Sequence, residues 1–176
     1  MACNLTSGRL EPCRDAIGGL KAIYLVDFID DSFTVAAGEA TAINAAVTDV
    51  FKYELLADGN TFVETFTADQ NNGTSIYEQV LTVALKKQTK ASADELALIV
   101  KARPVVVIQH RDGSYKIQGI SDGTVATGDI QSGGAKADFN GYNLTLTATE
   151  VLPAPYLDAA TITALDLIVS TTNIEP

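Results

Sequence analysis

The segment from Pro104 to Tyr156 alternates apolar runs with tight glycine turns, and this pattern is the strongest structural signal in the sequence. It consists of Pro104-Val-Val-Val-Ile108, the turn Arg111-Asp-Gly-Ser114, Tyr115-Lys-Ile-Gln118, a glycine-rich stretch to Gly134, and Asn140-Gly-Tyr-Asn-Leu-Thr-Leu-Thr-Ala-Thr-Glu150. Short apolar or alternating runs bounded by such turns are typical of β-strands joined by hairpins. The segment therefore predicts a compact β-meander.

Upstream of this segment the sequence predicts further strands. Lys21–Phe28 has the mixed apolar content of a largely buried strand. Phe51–Leu56 and Thr61–Thr67 flank Asp58-Gly59-Asn60, which predicts a β-hairpin around an Asp-Gly turn. Residues 33–46 are alanine-rich without a clear period, which favours a loop or an irregular hairpin.

The longest strand signal extends from Ser75 to Gln88, with Tyr77, Leu81, Val83 and Leu85 at odd positions and Glu78, Thr82 and Lys86 among the even ones. This alternation predicts one buried face and one that water can reach.

One helix is predicted after that strand, and a last strand near the C-terminus. Ser92 and Glu95 form a capping-box pattern, an apolar stripe follows, and Pro104 stops further winding. Residues 161–172 alternate Leu165, Leu167 and Val169 with other residues, which predicts a strand. The simplest count is a single domain over residues 1–176, with an N-terminal arm at 1–19 and a free C-terminal tail at 173–176.

Composition bounds the function. The 176 residues are 47% hydrophobic and include 12 basic and 22 acidic side chains, a net charge of −10. That apolar content suits a folded domain. The excess of acidic residues argues against nucleic-acid binding, because binding to phosphates needs a concentration of Lys and Arg. No apolar run is long enough to span a membrane, and no secretory signal is recognisable. The sequence thus predicts a product folded in a reducing cytoplasm.

Groups suited to bond-making chemistry are sparse. Cys3 and Cys13 could supply half a zinc site, but His110 is the one histidine. Free thiols are expected, and a disulfide pinning the N-terminal segment is the alternative. His110 lacks a neighbouring nucleophile and precedes the Asp112-Gly113 turn, so a structural role is expected. The sequence predicts no catalytic residue, no metal site and no cofactor.

Three local patterns resemble ligand sites and are interpreted as turns. Asp69-x-Asn71-x-Gly73 resembles the start of a calcium loop, but Val80 occupies the position of the required bidentate acid. Gly133-Gly134-Ala135-Lys136 lacks the ending of a phosphate loop. The adjacent carboxylates Asp27, Asp30 and Asp31 are typical of a solvated corner.

The remaining signal concerns interfaces. Asn143, Thr145, Thr147 and Thr149 alternate with Tyr142, Leu144, Leu146 and Ala148, which suits a sheet wet on one side. Sheets with unprotected edges tend to acquire partners, and joining sheets from several subunits into a ring removes those edges. Such a barrel would have a polar lumen. The positions expected to line or approach it are Glu78, Thr82, Asn143, Thr145 and Thr147.

The order of these pieces resembles bacteriophage tail tube proteins. The resemblance covers residues 75–157 and is carried by Val105–Tyr115, Ile117-Gln-Gly119, the glycine turns at 123 and 132–134, Asp138–Glu150 and Pro153-Ala-Pro155. It implies a mainly β (α+β) fold, an antiparallel sandwich or half-barrel with one flanking helix. Six copies would form a ring closing a continuous barrel, and rings would stack into a tube in the virion tail through which DNA passes without specific binding.

The resemblance also implies partners and leaves alternatives. The partners would be further copies of this chain and other tail proteins, assembled in the host cytoplasm. Residues 33–46, the turn at 69–73 and both termini are expected to reach neighbouring subunits; the individual residues are Phe33, Val35, Asp69, Asn71 and Asn72. The alternatives are a neck, tail-terminator or decoration ring protein, and a non-catalytic β-sandwich binding module such as a carbohydrate-binding domain. An enzyme is the least favoured.

Overall fold

The computed structural model describes residues 7–11, 13–15, 17–56 and 59–172. In these ranges the strands are β1 (Leu20–Val26), β2 (Phe33–Ala36), β3 (Glu39–Ile43), β4 (Val50–Glu54), β5 (Thr61–Asp69), β6 (Thr74–Lys86), β7 (Val105–His110), β8 (Tyr115–Gln118), β9 (Val125–Gln131), β10 (Gly141–Glu150) and β11 (Tyr156–Leu157); the helices are α1 (Lys90–Ile99) and α2 (Ala159–Leu167). Sheet A has the order β2-β3-β11-β8-β7-β1-β4, and sheet B has the order β5-β6-β10-β9. The predicted mainly β, antiparallel sandwich is confirmed.

Sheet A is buried on both faces at its centre. In β7, Val105 and Val107 belong to the core that includes Leu165 of α2, whereas Val106 and Ile108 belong to the core shared with sheet B. A strand covered on both sides needs consecutive apolar residues. This accounts for the run Val105-Val-Val-Ile108 and for the nearly continuous burial of β1.

Sheet B is buried on one face only. Leu81 and Val83 of β6 and Leu144 and Leu146 of β10 pack against sheet A, while the residues between them are partly exposed. The predicted alternation in both strands is confirmed. The molecule is therefore layered as α2, sheet A and sheet B, with α1 beside sheet B.

A buried polar cluster joins the two sheets. The side-chain amide of Gln118 in β8 donates to the backbone carbonyls of Gln79 in β6 (3.0 Å) and Leu146 in β10 (2.8 Å). The backbone N–H of Gly119 donates in turn to Gln79 Oε1. Because buried polar groups need partners, these bonds hold sheet A over sheet B at a defined position.

The predicted hairpin around residues 58–60 is wrong. Its two strands lie in different sheets, because β4 pairs with β1 whereas β5 pairs with β6. Leu55 follows β4, is buried and donates its N–H to Lys21 O, and Asn60 Oδ1 accepts from Ala84 N. An Asp-Gly turn signals only that the chain bends, and here the connection crosses between layers; Asp58 itself lies outside the described residues.

The predicted single meander from Pro104 to Tyr156 is divided between the sheets. The β7–β8 hairpin around Arg111–Ser114 is in sheet A, and the β9–β10 pair is in sheet B. Between them, Gly119 and Gly123 have positive φ angles of 70° and 75°, and a Cβ on Gly123 would lie 2.2 Å from Arg103 O. Glycine permits this crossover where another residue would clash.

The helix predicted near Ser92 exists but begins earlier. Thr89 is the N-cap of α1, with its Oγ1 accepting from Ser92 N at 3.1 Å. The start predicted from the pattern Ser92-x-x-Glu95 therefore lies about one helical turn after the N-cap that the structure shows.

The strand predicted over 161–172 is wrong, since α2 occupies residues 159–167 and makes a second helix. Asp158 caps it by accepting from Thr161 N, and Thr161 and Leu165, one helical turn apart, are buried. Apolar residues occur at both odd and even positions of the segment 161–172. The spacing of apolar residues alone therefore did not distinguish a strand from a helix.

The other predicted segments agree with the fold or lie outside it. Residues 33–46 contain the β2–β3 hairpin, irregular because its register shifts between Thr34 and Val35. Residues 7–11, 13–15 and 17–19 contain no helix or strand, whereas residues 1–6 and the tail at 173–176 lie outside the described residues. Neither described helix is long and apolar enough to cross a membrane.

Candidate interaction surface

The outer face of sheet B brings together the five residues predicted to approach a lumen. Pairing places Thr145 beside Thr82 and Thr149 beside Glu78, while Asn143 and Thr147 lie on the same face of β10. Their neighbours on this face are Thr61, Val63, Thr65, Thr67, Ile76, Val80, Ala84, Val125, Thr127 and Asp129. The sequence thus identified one surface, and its use as a lumen lining stays a prediction.

The side chains on this outer face are short, and few of them are charged. It is dominated by Thr and Val, whose β-branched side chains are stiff and suit a pleated surface. Its main charges are Glu78 and Asp129, and Asp129 accepts from Asn143 Nδ2 (3.2 Å) and Gln131 Nε2 (2.6 Å). Lys86 contributes a cation at the end of β6. The face offers polar groups to water without the cluster of cations that would hold phosphates.

Both edges of sheet B are open in the described part of the chain. β5 pairs only with β6, and β9 pairs only with β10. Three successive antiparallel pairings separate the edges, so β5 and β9 run in opposite directions. An unpaired strand edge is a template for another strand, and β5 is nine residues long.

An apolar groove of about 380 Å³ lies between α1 and the β9 edge. Its floor is formed by Gly128, Ile130, Tyr142 and Leu144, and its wall by Ala93, Leu96, Ala97, Val100 and Lys101 of α1 and the turn after it. Ile130 is 65% exposed and Val100 57%. The groove is on the face of β9 that carries Gly128 and Ile130, and Asp129 and Asn143 also contribute to its lining.

The opposite edge carries an exposed phenyl ring. Phe66 of β5 is 76% exposed although it lies on the inner face of sheet B, and its ring centroid lies 6.2 Å from that of Tyr77. By contrast Phe62, four residues earlier on the same face, is packed against the core and His110. The sequence did not single out Phe66, because a strand pattern predicts at most the face of a side chain and not how far it lies beyond the core.

The residues predicted to reach neighbouring subunits occupy different environments. Phe33 is 4% exposed and packs in the core, whereas Val35 in the same strand is 42% exposed. Asp69 closes the turn between β5 and β6: its carboxylate accepts from the backbone N–H groups of Asn71 and Asn72 and from the Asn72 amide. These hydrogen bonds hold the pKa of Asp69 below its ordinary value. The turn predicted here in place of a calcium loop agrees with this geometry.

Other candidate chemical groups are engaged within the chain. Asp138 accepts from the N–H groups of Gly134 and Ala135, so the glycine-rich loop is folded around its own carboxylate, which lowers the pKa of Asp138. Glu64 accepts from Ala154 N at 2.7 Å and lies 3.8 Å from Lys116 Nζ. Within the described ranges, His, Cys, Asp and Glu side chains form no group of three that could hold a metal ion.

His110 and the cysteines can be placed in part. His110 ends β7, packs edge-on to Phe62, and has a lowered pKa because burial disfavours its charged form. Cys13 is exposed, and Cys3 lies outside the described residues, so the predicted alternatives for this pair stand. Asp30 and Asp31 are exposed at the turn after β1, as expected of a solvated corner.

Comparisons with protein-family models, with curated proteins and with solved structures find no match to this chain.

Proposed function

We propose that this protein is a structural, self-assembling subunit that joins sheet B edge to edge with further copies of itself, forming rings that stack into a tube of the phage-tail type. The observation that carries the proposal is the four-stranded antiparallel sheet with two open edges of opposite direction. β5 of one copy placed beside β9 of the next continues the antiparallel order. Repeating this head-to-tail contact produces a closed ring when the rotation allows it.

The stagger between the two edges supports ring closure. The middle residue of β5, Thr65, pairs through Glu78 to Thr149 of β10, whereas the middle residue of β9, Gly128, pairs to Leu144. The centres of the edges are therefore offset by about five residues along β10, or about 17 Å at ~3.3 Å per residue. If the centre of β5 in one copy lies beside the centre of β9 in the next, adjacent copies are displaced by about 17 Å along the strand direction. The four strands of one copy span about 19 Å across the sheet. The resulting strand tilt is about 41°, within the ~35–45° of closed barrels.

The outer face would then line the channel. Since adjoining side chains alternate between the faces, the side opposite sheet A becomes the lumen, with Glu78, Thr82, Asn143, Thr145 and Thr147 on it. A hexameric ring would contain roughly 24 strands, with a backbone diameter of about 50 Å. A lumen of Thr and Val with acidic Glu78 and Asp129 would let DNA pass without holding it, because phosphates find few cations there.

Negative-stain electron microscopy and mass photometry of the purified full chain test this proposal. We expect rings with a central channel of roughly 40 Å, since side chains narrow the ~50 Å backbone diameter, and stacks of rings at higher protein concentration. Monomers at every concentration and salt condition would refute it. A single closed ring that never stacks would instead favour the neck, tail-terminator or decoration alternative.

A further inference from the structure

We infer that the groove between α1 and β9 is the receptor for Phe66 of the neighbouring copy, so that one phenyl ring anchors each contact between subunits. The inference rests on the proposed edge-to-edge ring and assigns its register and polarity. Phe66 and the groove are on the same face of sheet B, at opposite edges, and the described residues of the chain leave both of them uncovered.

Strand alternation limits how the two edges can meet. Side chains keep their faces only if the shift between copies is an even number of residues. The observed offset of five residues therefore resolves to four or six, which give strand tilts of about 35° and about 46°, at the two ends of the ~35–45° range of closed barrels. A shift of six places Phe66 beside Gly128, on the floor of the groove; a shift of four places Phe66 beside Ala126 and Glu64 beside Gly128.

The chemistry of the groove selects the shift of six. Ala126 is only 6% exposed and offers little surface to a neighbour, whereas the groove is lined mainly by apolar atoms. A shift of four would direct the carboxylate of Glu64 into that lining, although Glu64 is already bound to Ala154 N and near Lys116. With a shift of six the phenyl ring enters the apolar space beside a glycine, where no side chain competes with it.

Charge complementarity fixes the polarity of the contact. The edge strand β5 and the β6 residues beside it, from Thr61 to Leu85, contain three acidic residues and no Lys, Arg or His, and the cation of β8 nearest to them is Lys116, 3.8 Å from Glu64. The sequence from Lys86 to Arg103, which carries α1 beside the β9 edge, contains five cations and two acids. An acidic edge that meets a basic flank is attracted to it, whereas two β5 edges would repel each other. The occupant of the groove is therefore the β5 edge of a second copy.

The test compares assembly of the full-length wild type, Phe66→Ala and Leu167→Ala by mass photometry across protein concentration. Removing a buried phenyl ring should raise the concentration at which rings form by about tenfold or more. Leu167→Ala, which truncates an equally exposed apolar side chain on α2, should leave that concentration unchanged. Since Phe66 is largely exposed in the monomer, its removal should also leave the denaturation midpoint of the monomer unchanged.

Two further measurements test the contact between Phe66 and the groove even if Phe66→Ala does not fold. Ala97→Phe fills the groove from exposed helical position 97 and should block assembly while the monomer stays folded. In a Cys3→Ser, Cys13→Ser background, Phe66→Cys with Ala97→Cys should give covalent ladders between copies under oxidation.

The outcomes separate this inference from the proposed function. Normal rings in both Phe66→Ala and Ala97→Phe, with no covalent ladder, would overturn the Phe66 contact and leave the ring intact. A wild type that forms no rings would overturn both.

Discussion

Gln118 provides the sharpest test of how the two sheets are held together. Its side chain is fully buried between β8 and sheet B, and its amide nitrogen donates two hydrogen bonds to the carbonyls of Gln79 and Leu146. Its Oε1 has no hydrogen-bond partner among the described residues. Both useful contacts of this side chain are therefore made by the nitrogen.

Gln118→Glu keeps the shape of the side chain and removes the donor. Two hydrogen bonds are lost, about 1–3 kcal/mol together, and a buried carboxylate then faces two carbonyl oxygens at a further cost of several kcal/mol. We expect the free energy of unfolding at pH 7 to fall by at least ~4 kcal/mol, a large part of the ~5–15 kcal/mol of a typical domain. Gln118→Met, the matched neutral control, should cost only about 1–3 kcal/mol, because it also removes the unpartnered oxygen.

Urea denaturation at several pH values measures these effects. Burial raises the pKa of the introduced carboxyl above its unfolded value of about 4.3. Its penalty therefore grows as the pH rises from that value through the folded pKa, and shrinks on acidification, where a protonated carboxyl can donate to one carbonyl. If Gln118→Glu is no less stable than Gln118→Met at pH 7, or if their difference does not depend on pH, the role assigned to the amide is refuted.

Two more predictions concern the core and pH. Leu146→Ala should lower the free energy of unfolding by about 2–5 kcal/mol, because Leu146 is fully buried between the sheets, while Thr147→Ala on the outer face of the same strand should lower it by no more than ~1 kcal/mol; equal losses in urea denaturation would contradict the layer assignment. Because burial lowers the pKa of His110, the folded chain binds its proton less readily than the unfolded chain, so stability should fall as the pH drops below about 6.5 toward the folded pKa. His110→Gln should show a shallower pH dependence between pH 7.5 and 5.5, and identical slopes would exclude this contribution.

The candidate surface was predictable only in part. Alternation in β6 and β10 placed Glu78, Thr82, Asn143, Thr145 and Thr147 on one wet face, because side-chain direction follows from the period of a strand alone. The groove beside α1 and the exposure of Phe66 were not predictable, since both depend on which strands are edges and how far each extends beyond its neighbour. Those are consequences of pairing between residues distant in sequence.

The sequence alone was sufficient to predict most of the strands and the wet face of β6 and β10. The continuous Val105-Val-Val-Ile108 belongs to a strand buried on both faces, and the alternating Tyr142–Thr149 to a strand buried on one, because burial dictates where apolar side chains are needed. Three features depend on tertiary packing: the chain leaves sheet A after Leu55, β5 pairs with β6 instead of β4, and residues 159–167 are helical. Turn residues and short apolar runs are compatible with several partners, so long-range packing selects among them.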